Sequence, residues 1–224
     1  MQKKIFIISS IIIIFLGLLA YSNSFRGDFI WDDEALILNN DLIKSIHSWD
    51  KIITQELMDK TKTNYYRPVQ VFSYIVDYRI WKLNPFGYHL TNFLIHILNA
   101  ILIYLFVMNI MLQATGYRLQ AKSLQLETCS LKPNFIPLLT ALFWVVHPVH
   151  VESVTYISGR ADLLAGFFML SALLMYIKHF YSIKFKRFLY LGSIFLFCLS
   201  LFSKEMGMIL PLALINYEYF FRKQ

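Results

Sequence analysis

The run Tyr88-His89-Leu90-Thr91-Asn92-Phe93-Leu94-Ile95-His96-Ile97-Leu98-Asn99-Ala100-Ile101-Leu102-Ile103-Tyr104-Leu105-Phe106-Val107-Met108-Asn109-Ile110-Met111-Leu112 decides the fold. It holds no Asp, Glu, Lys or Arg, and as a helix rising about 1.5 Å per residue it exceeds the ~30 Å hydrocarbon core of a bilayer. His89, Asn92, His96 and Asn99 recur at helical spacing and form one polar stripe down the run. In lipid such a stripe must face protein or water. It serves either a buried site or hydrogen bonds between helices.

Further apolar runs lie on both sides. Ile5–Tyr21 follows Lys3 and Lys4 and is followed by no A-x-A cleavage site, which favours a retained signal anchor over a cleaved leader. After Tyr88–Leu112 come Phe135–Val146, closed by Pro148, then Leu163–Phe180, Phe188–Phe202 and Met206–Phe221. The expected fold is an all-α polytopic membrane protein with about six transmembrane helices. Residues 1–22 form the anchor, 23–85 a large first extracytoplasmic loop, and 86–224 the transmembrane bundle.

Composition agrees with that class. Of 224 residues, 57% are hydrophobic and only 16% charged, and the mean hydropathy is +0.52; a soluble domain of this length carries more charge. The net charge of +7 lies largely in short loops between apolar runs, which is the positive-inside bias of membrane proteins and argues against nucleic acid as a partner. With the N-terminus in the cytoplasm, eleven of the 21 Lys and Arg fall in cytoplasmic segments and eight in the first external loop, beside nine acids. Arg160 and Lys204 remain, both in short external connections where that rule disfavours cations. Cys129 in a polar loop and Cys198 in an apolar run should lie far apart in depth, so no disulfide is expected.

The polar loop contains a helical segment, Pro68–Trp81. Gln70, Ser73 and Asp77 mark one of its faces and Val69, Phe72, Val76 and Ile80 another. This fits a helix lying in the membrane interface or, equally, an amphipathic helix packed on a globular loop.

Charged and polar side chains collect at the run ends on one side of the bilayer: Asp32, Asp33, His147, His150, Glu152, Arg160, Asp162, Lys204 and Glu205. Ionisable groups near hydrocarbon are costly and commonly mark a site. In Phe29-Ile30-Trp31-Asp32-Asp33-Glu34, adjacent acids could supply a general base, a metal ligand or only a solvated loop. His147-Pro148-Val149-His150-Val151-Glu152 has the ligand types for a divalent metal, but it lacks the H-E-x-x-H register and Pro148 breaks the helix, which favours a hydrogen-bonded cap at a membrane end. In Ser158-Gly159-Arg160-Ala161-Asp162, Arg160 could fork a phosphate or pair with Asp162. Ser203-Lys204-Glu205 is either a polar hairpin turn or a cation beside an anionic head group. Arg67, in Tyr65-Tyr66-Arg67-Pro68, is a further anion-binding candidate.

Taken together, F-x-W-D-D after the first span, Y-R-P, N-P-x-x-Y-H-x-x-N-x-x-x-H-x-x-N, H-P-V-H-x-E-x-V, S-G-R-A-D-L-L and the late S-K-E resemble one family over Phe25 to Pro211. It is the family of transmembrane and tetratricopeptide-repeat O-mannosyltransferases with bacterial relatives, within the GT-C superfamily of membrane glycosyltransferases. The resemblance implies a GT-C-like helical bundle, a polyprenyl-phosphate sugar donor such as dolichyl phosphate mannose, and a protein Ser or Thr acceptor. It implies transfer with inversion at the extracytoplasmic face of a bacterial inner membrane or the endoplasmic reticulum. It also implies an acidic general base just after the first span, which Asp32 or Asp33 would supply, and no metal or other cofactor. His147, His150 and Glu152 would then shape the pocket or bind sugar, and further spans and a repeat domain would follow Gln224.

That chemistry is coherent from first principles. Negative charge grows on the departing phosphate, and Arg160 and Lys204 could offset it where water is scarce. A transferase acting on glycolipids is the nearest alternative, and a non-catalytic membrane assembly subunit the next. A transporter fits less well, because its charges would gather near the midplane between related halves.

Overall fold

The computed structural model describes residues 2–44, 66–121 and 135–221. Within them the elements are helices α1 (Gln2–Tyr21), α2 (Asp41–Lys44), α3 (Pro68–Trp81), α4 (Pro85–Ala121), α5 (Phe135–Val146), α6 (Val151–Thr155), α7 (Arg160–Tyr181), α8 (Lys186–Ser203) and α9 (Leu210–Phe221). Four segments are long and apolar enough to cross a bilayer: Lys3–Arg26, Pro85–Gln113, Ile157–Tyr181 and Lys186–Ser203. Phe135–Val146 with Pro148–Thr155 makes a fifth candidate, bent by 49°. The protein is an all-α polytopic membrane protein.

The described crossings are thus four or five, against about six expected. The difference lies at the last run. Lys204 is extended, Glu205–Ile209 forms a tight 3₁₀ turn, and the α-helix begins only at Leu210. Its 12 described residues to Phe221 extend about 18 Å. The bend in the third run has the cause the sequence suggests. Pro148 has no N–H to continue α5, and His147 caps the new turn by accepting the Val149 amide at Nδ1 (3.2 Å).

Polar atoms zip the bundle. On α4, Asn92 donates to the Tyr156 and Ile157 carbonyls, the His96 ring meets the Val145 carbonyl, and Asn99 donates to the Leu163 carbonyl. The polar stripe therefore joins α4 to α5 and to the start of α7, as the helix-contact alternative requires. Ser193 and Ser200 of α8 donate to the Ala172 and Ala165 carbonyls of α7, each at 2.9 Å. That pairing holds the two helices antiparallel and close. Ile13 and Tyr21 of α1 enter the same core as Phe93, Ile97, Ala141 and Val145, so α1 packs as a member of the bundle.

A small cap covers one end. Leu36, Ile37, Leu42 and Ile43 of the segment after α1 pack on Val71, Tyr74 and Ile75 of α3 and on Ile157. Each such side chain contributes about 1.5–3 kcal/mol when fully buried. α3 turns its polar side inward: Gln70 and Asp77 are buried, whereas Phe72, Val76 and Ile80 are exposed. An outward apolar stripe on a membrane protein is what the interfacial reading of this helix demands. Cys198 is an exposed free thiol on α8; Cys129 lies outside the described residues.

The connection between α6 and α7 tolerates no side chain at Gly159. A Cβ there would lie 2.9 Å from both the Glu152 carbonyl oxygen and the Ser153 Cα, atoms of the backbone that cannot rotate away. Gly159→Ala is expected to destabilise the protein by about 1–3 kcal/mol, read as a lower thermal-unfolding midpoint of the detergent-solubilised chain.

Candidate functional site

Four chain segments meet under the cap: the loop after α1, α3, the start of α4, and the turn from α6 to α7. Ser158 is where they touch. Its backbone N–H donates to Asp33 Oδ1 at 2.9 Å, and its hydroxyl makes a short hydrogen bond to the same oxygen. Its carbonyl accepts from Gln70 Nε2 at 2.8 Å. Asp33 also accepts the Ile30 amide at 3.2 Å, closing its own loop. The Asp33 side chain is fully buried. Burial pushes its carboxyl above the usual range, and the Ser158 and Ile30 hydrogen bonds pull it partway back.

Two residues from Ser158, Arg160 is held at the centre of the arrangement with no exposed surface. Nε donates to Asn92 Oδ1 (2.7 Å), Nη1 to the Ser73 hydroxyl (3.2 Å), and Nη2 to the Tyr88 carbonyl (2.9 Å). Asp77 Oδ2 lies 2.6 Å from Nη1, a buried ion pair. The guanidinium also lies over the Tyr74 ring, 4.7 Å from its centroid. Asp77 is raised above the normal carboxylate range by burial, with Arg160 opposing the shift; its other oxygen accepts from Thr91 at 2.8 Å.

This corrects one expectation: Arg160 pairs with Asp77 of α3 and not with Asp162 two residues away. All three of its nitrogens have protein partners. The reason is geometric: at the first position of α7 the Arg160 side chain is directed into the bundle, towards the polar faces of α3 and α4. Asp162 instead accepts from Lys204 Nζ at 2.6 Å. The neighbouring Glu205 receives the Arg67 guanidinium at 3.1 Å and 3.4 Å. Glu205 is held below the usual range by its own backbone amide, with Arg67 adding to the effect. Lys204 and Arg67 are thus two paired cations at the rim, with carboxylate partners 43% and 62% exposed.

Asp32 differs from its neighbour. Its side chain is exposed, while its backbone N–H donates to the Tyr156 hydroxyl at 3.1 Å. Trp31 is 79% exposed and has a left-handed backbone, φ 49°, a conformation costly for a bulky residue. Its ring meets Tyr156 edge-on at 5.9 Å. Asp33 and Tyr156 therefore fix a strained loop that presents Trp31 and Asp32 outward. Tyr156 carried no motif and was invisible in the sequence; its hydroxyl matters only because α6 places it beside the loop.

The histidine segment stands apart. His150 packs on Trp144 (4.2 Å between ring centroids), and His147 lies 6.2 Å from His150. Glu152 is exposed on α6. Among the described residues no three His, Cys, Asp or Glu side chains assemble as a metal site, so these three are not gathered as ligands.

Fold and site define a polytopic helical membrane protein with a polar, charge-rich mouth at one end of its bundle. Neither a family model nor a solved structure matches the chain. Curated relatives do. The chain is 31% identical over 211 residues, 89% of its length, to the protein O-mannosyl-transferase TMTC4 of Mus musculus. It is 28% identical over 210 residues, 91% of its length, to the protein O-mannosyl-transferase F38B6.6 of Caenorhabditis elegans. It is 29% identical over 169 residues, 73% of its length, to the protein O-mannosyl-transferase TMTC2 of Homo sapiens. The chain belongs to this family of protein O-mannosyl-transferases. It spans 28%, 27% and 18% of the lengths of those three relatives.

Two measurements probe the site. Removing one partner of a buried ion pair leaves the other uncompensated, at about 3–5 kcal/mol. Asp77→Asn and Arg160→Met should each lower the unfolding midpoint sharply, and the double variant should lose much less than the sum. The second concerns pH. A carboxyl raised by folding contributes stability that is full below its unfolded pKa of about 3.9 and is lost as pH climbs through the raised value. Asp33 acts in that direction. In unfolding curves from about pH 4 to about pH 7, Asp33→Asn should reduce the loss of stability on the alkaline side.

Proposed function

We propose that this chain forms the part of a membrane glycosyltransferase that holds the activated sugar and the base. The reaction moves mannose from a polyprenyl phosphate to a Ser or Thr hydroxyl of a protein, at the extracytoplasmic face. One observation supports the reading: Asp32 stands exposed on a loop that Asp33 ties to Ser158, and Asp162, four residues after Ser158, pairs with Lys204. Family membership adds the reaction class, since the relatives are named protein O-mannosyl-transferases.

The geometry divides the two acids. Asp33 accepts three hydrogen bonds and has no exposed surface, so it positions the loop. Asp32, open to solvent, is the group that takes the acceptor proton as the hydroxyl attacks the anomeric carbon. The sugar–phosphate bond breaks on the opposite side, and the configuration inverts. Lys204 and Arg67 offset the charge on the departing phosphate. Their present partners, Asp162 and Glu205, have side chains 43% and 62% exposed, so an incoming phosphate can compete with them for the cations. Arg160 holds α3, α4 and α7 together behind the site.

Transfer is measured in proteoliposomes supplied with polyprenyl phosphate mannose and an acceptor protein. Asp32→Asn should reduce the rate by at least about 100-fold while leaving the unfolding midpoint unchanged, as expected for loss of a general base. Undiminished transfer by Asp32→Asn would refute the assignment. Lys204→Gln and Arg67→Gln should each weaken donor binding.

A further inference from the structure

The end of the bundle away from the charged mouth has its own character. From Leu163 to Lys204 the sequence contains no Asp or Glu. Lys178, Lys184, Lys186 and Arg187 cluster where α7 turns into α8, all of them exposed. Apolar side chains are interleaved with them and stand free of the protein: Tyr181, Phe185 and Phe188 are 65%, 57% and 69% exposed, and Ile183 is 99% exposed.

Among the described residues these cations have no carboxylate partner; the four ion pairs present lie at Asp41, Asp77, Asp162 and Glu205. Lys184 Nζ lies 5.7 Å from the Phe185 ring centroid. His179 Nδ1 is 3.1 Å from the Lys186 carbonyl oxygen. The carboxylate that α9 brings towards this end, Glu218, takes a short hydrogen bond from the Tyr176 hydroxyl.

Depth places the turn. The 22 residues of α7 extend about 33 Å, the thickness of a hydrocarbon core. With Arg160 and Asp162 at one surface, Lys178 to Phe188 lie at the other. Rings and an aliphatic tip beside unneutralised cations suit an interface where acyl chains meet phosphates.

We propose that the turn between α7 and α8 binds the head groups of anionic phospholipids in the leaflet opposite the charged mouth. Lys184, Lys186 and Arg187 face the phosphates, while Tyr181, Ile183, Phe185 and Phe188 seat the turn among the upper acyl carbons. The apolar side chains interleaved with the cations favour a lipid surface over an acidic protein as the partner. The proposal is independent of the transferase reading.

Native mass spectrometry of the detergent-solubilised chain tests it by counting bound lipid during titration with dioleoylphosphatidylglycerol, dioleoylphosphatidylcholine or inorganic phosphate. The wild type should prefer the glycerol lipid by about 10-fold or more, since each basic residue near an anionic surface adds favourable binding. Lys184→Gln/Lys186→Gln/Arg187→Gln should bring the ratio near one, and Lys184→Arg/Lys186→Arg/Arg187→Lys should keep it. Raising salt from about 0.1 M to about 0.5 M should weaken the glycerol lipid alone, a readout that needs no variant. Equal binding of the two lipids, a preference retained by the glutamine variant, or displacement by inorganic phosphate at equal concentration would each overturn the proposal.

Discussion

The buried contact between Arg160 and Asp77 is the constraint on which the mouth of this protein depends. A guanidinium without solvent is tolerated only when its charge and all its donors are met. Here the counter-charge comes from α3, and the acceptors come from Ser73, Asn92 and the Tyr88 carbonyl. Tyr74 covers its face. One side chain at the first position of α7 therefore dictates where α3 lies on the bundle, which side α3 turns inward, and how α4 begins. If any of these elements moved, a buried charge would be stranded.

The polar interior shapes the outside in turn. Because α3 turns Gln70, Ser73 and Asp77 towards Ser158 and Arg160, Phe72, Val76 and Ile80 are left exposed on its other side. Because Asp33 is consumed by Ser158 and Ile30, Asp32 is the acid left open. Asp162, in the first turn of α7, and Glu205, in the 3₁₀ turn after α8, are exposed, so Lys204 and Arg67 are held by partners that water reaches. The fully enclosed pair lies inside, and the pairs with exposed carboxylates lie at the surface.

Most of the helices were legible in the sequence because length and hydrophobicity suffice to mark a segment that can cross a membrane. Phe135–Val146 and Pro68–Trp81 begin and end where Pro148 and the change of periodicity place them. The last run was not legible. Met206, Met208 and Ile209 are apolar, yet they belong to a tight turn whose close approach to Ser200 leaves no room for a Cβ at Gly207. Hydropathy does not register backbone crowding.

By itself the sequence determined the class of the protein, the polar stripe on α4, and the family strings that gather at run ends, since these follow from composition and spacing. Partner choice was decided only by tertiary structure. Arg160 and Asp162 are neighbours in sequence, but successive residues at the start of a helix point in different directions. Arg160 therefore meets an aspartate from α3, and Asp162 meets a lysine from the end of α8. The same holds for Asp32 and Asp33: adjacent and chemically alike, they differ in which faces the packed backbone of Ser158 and which faces water.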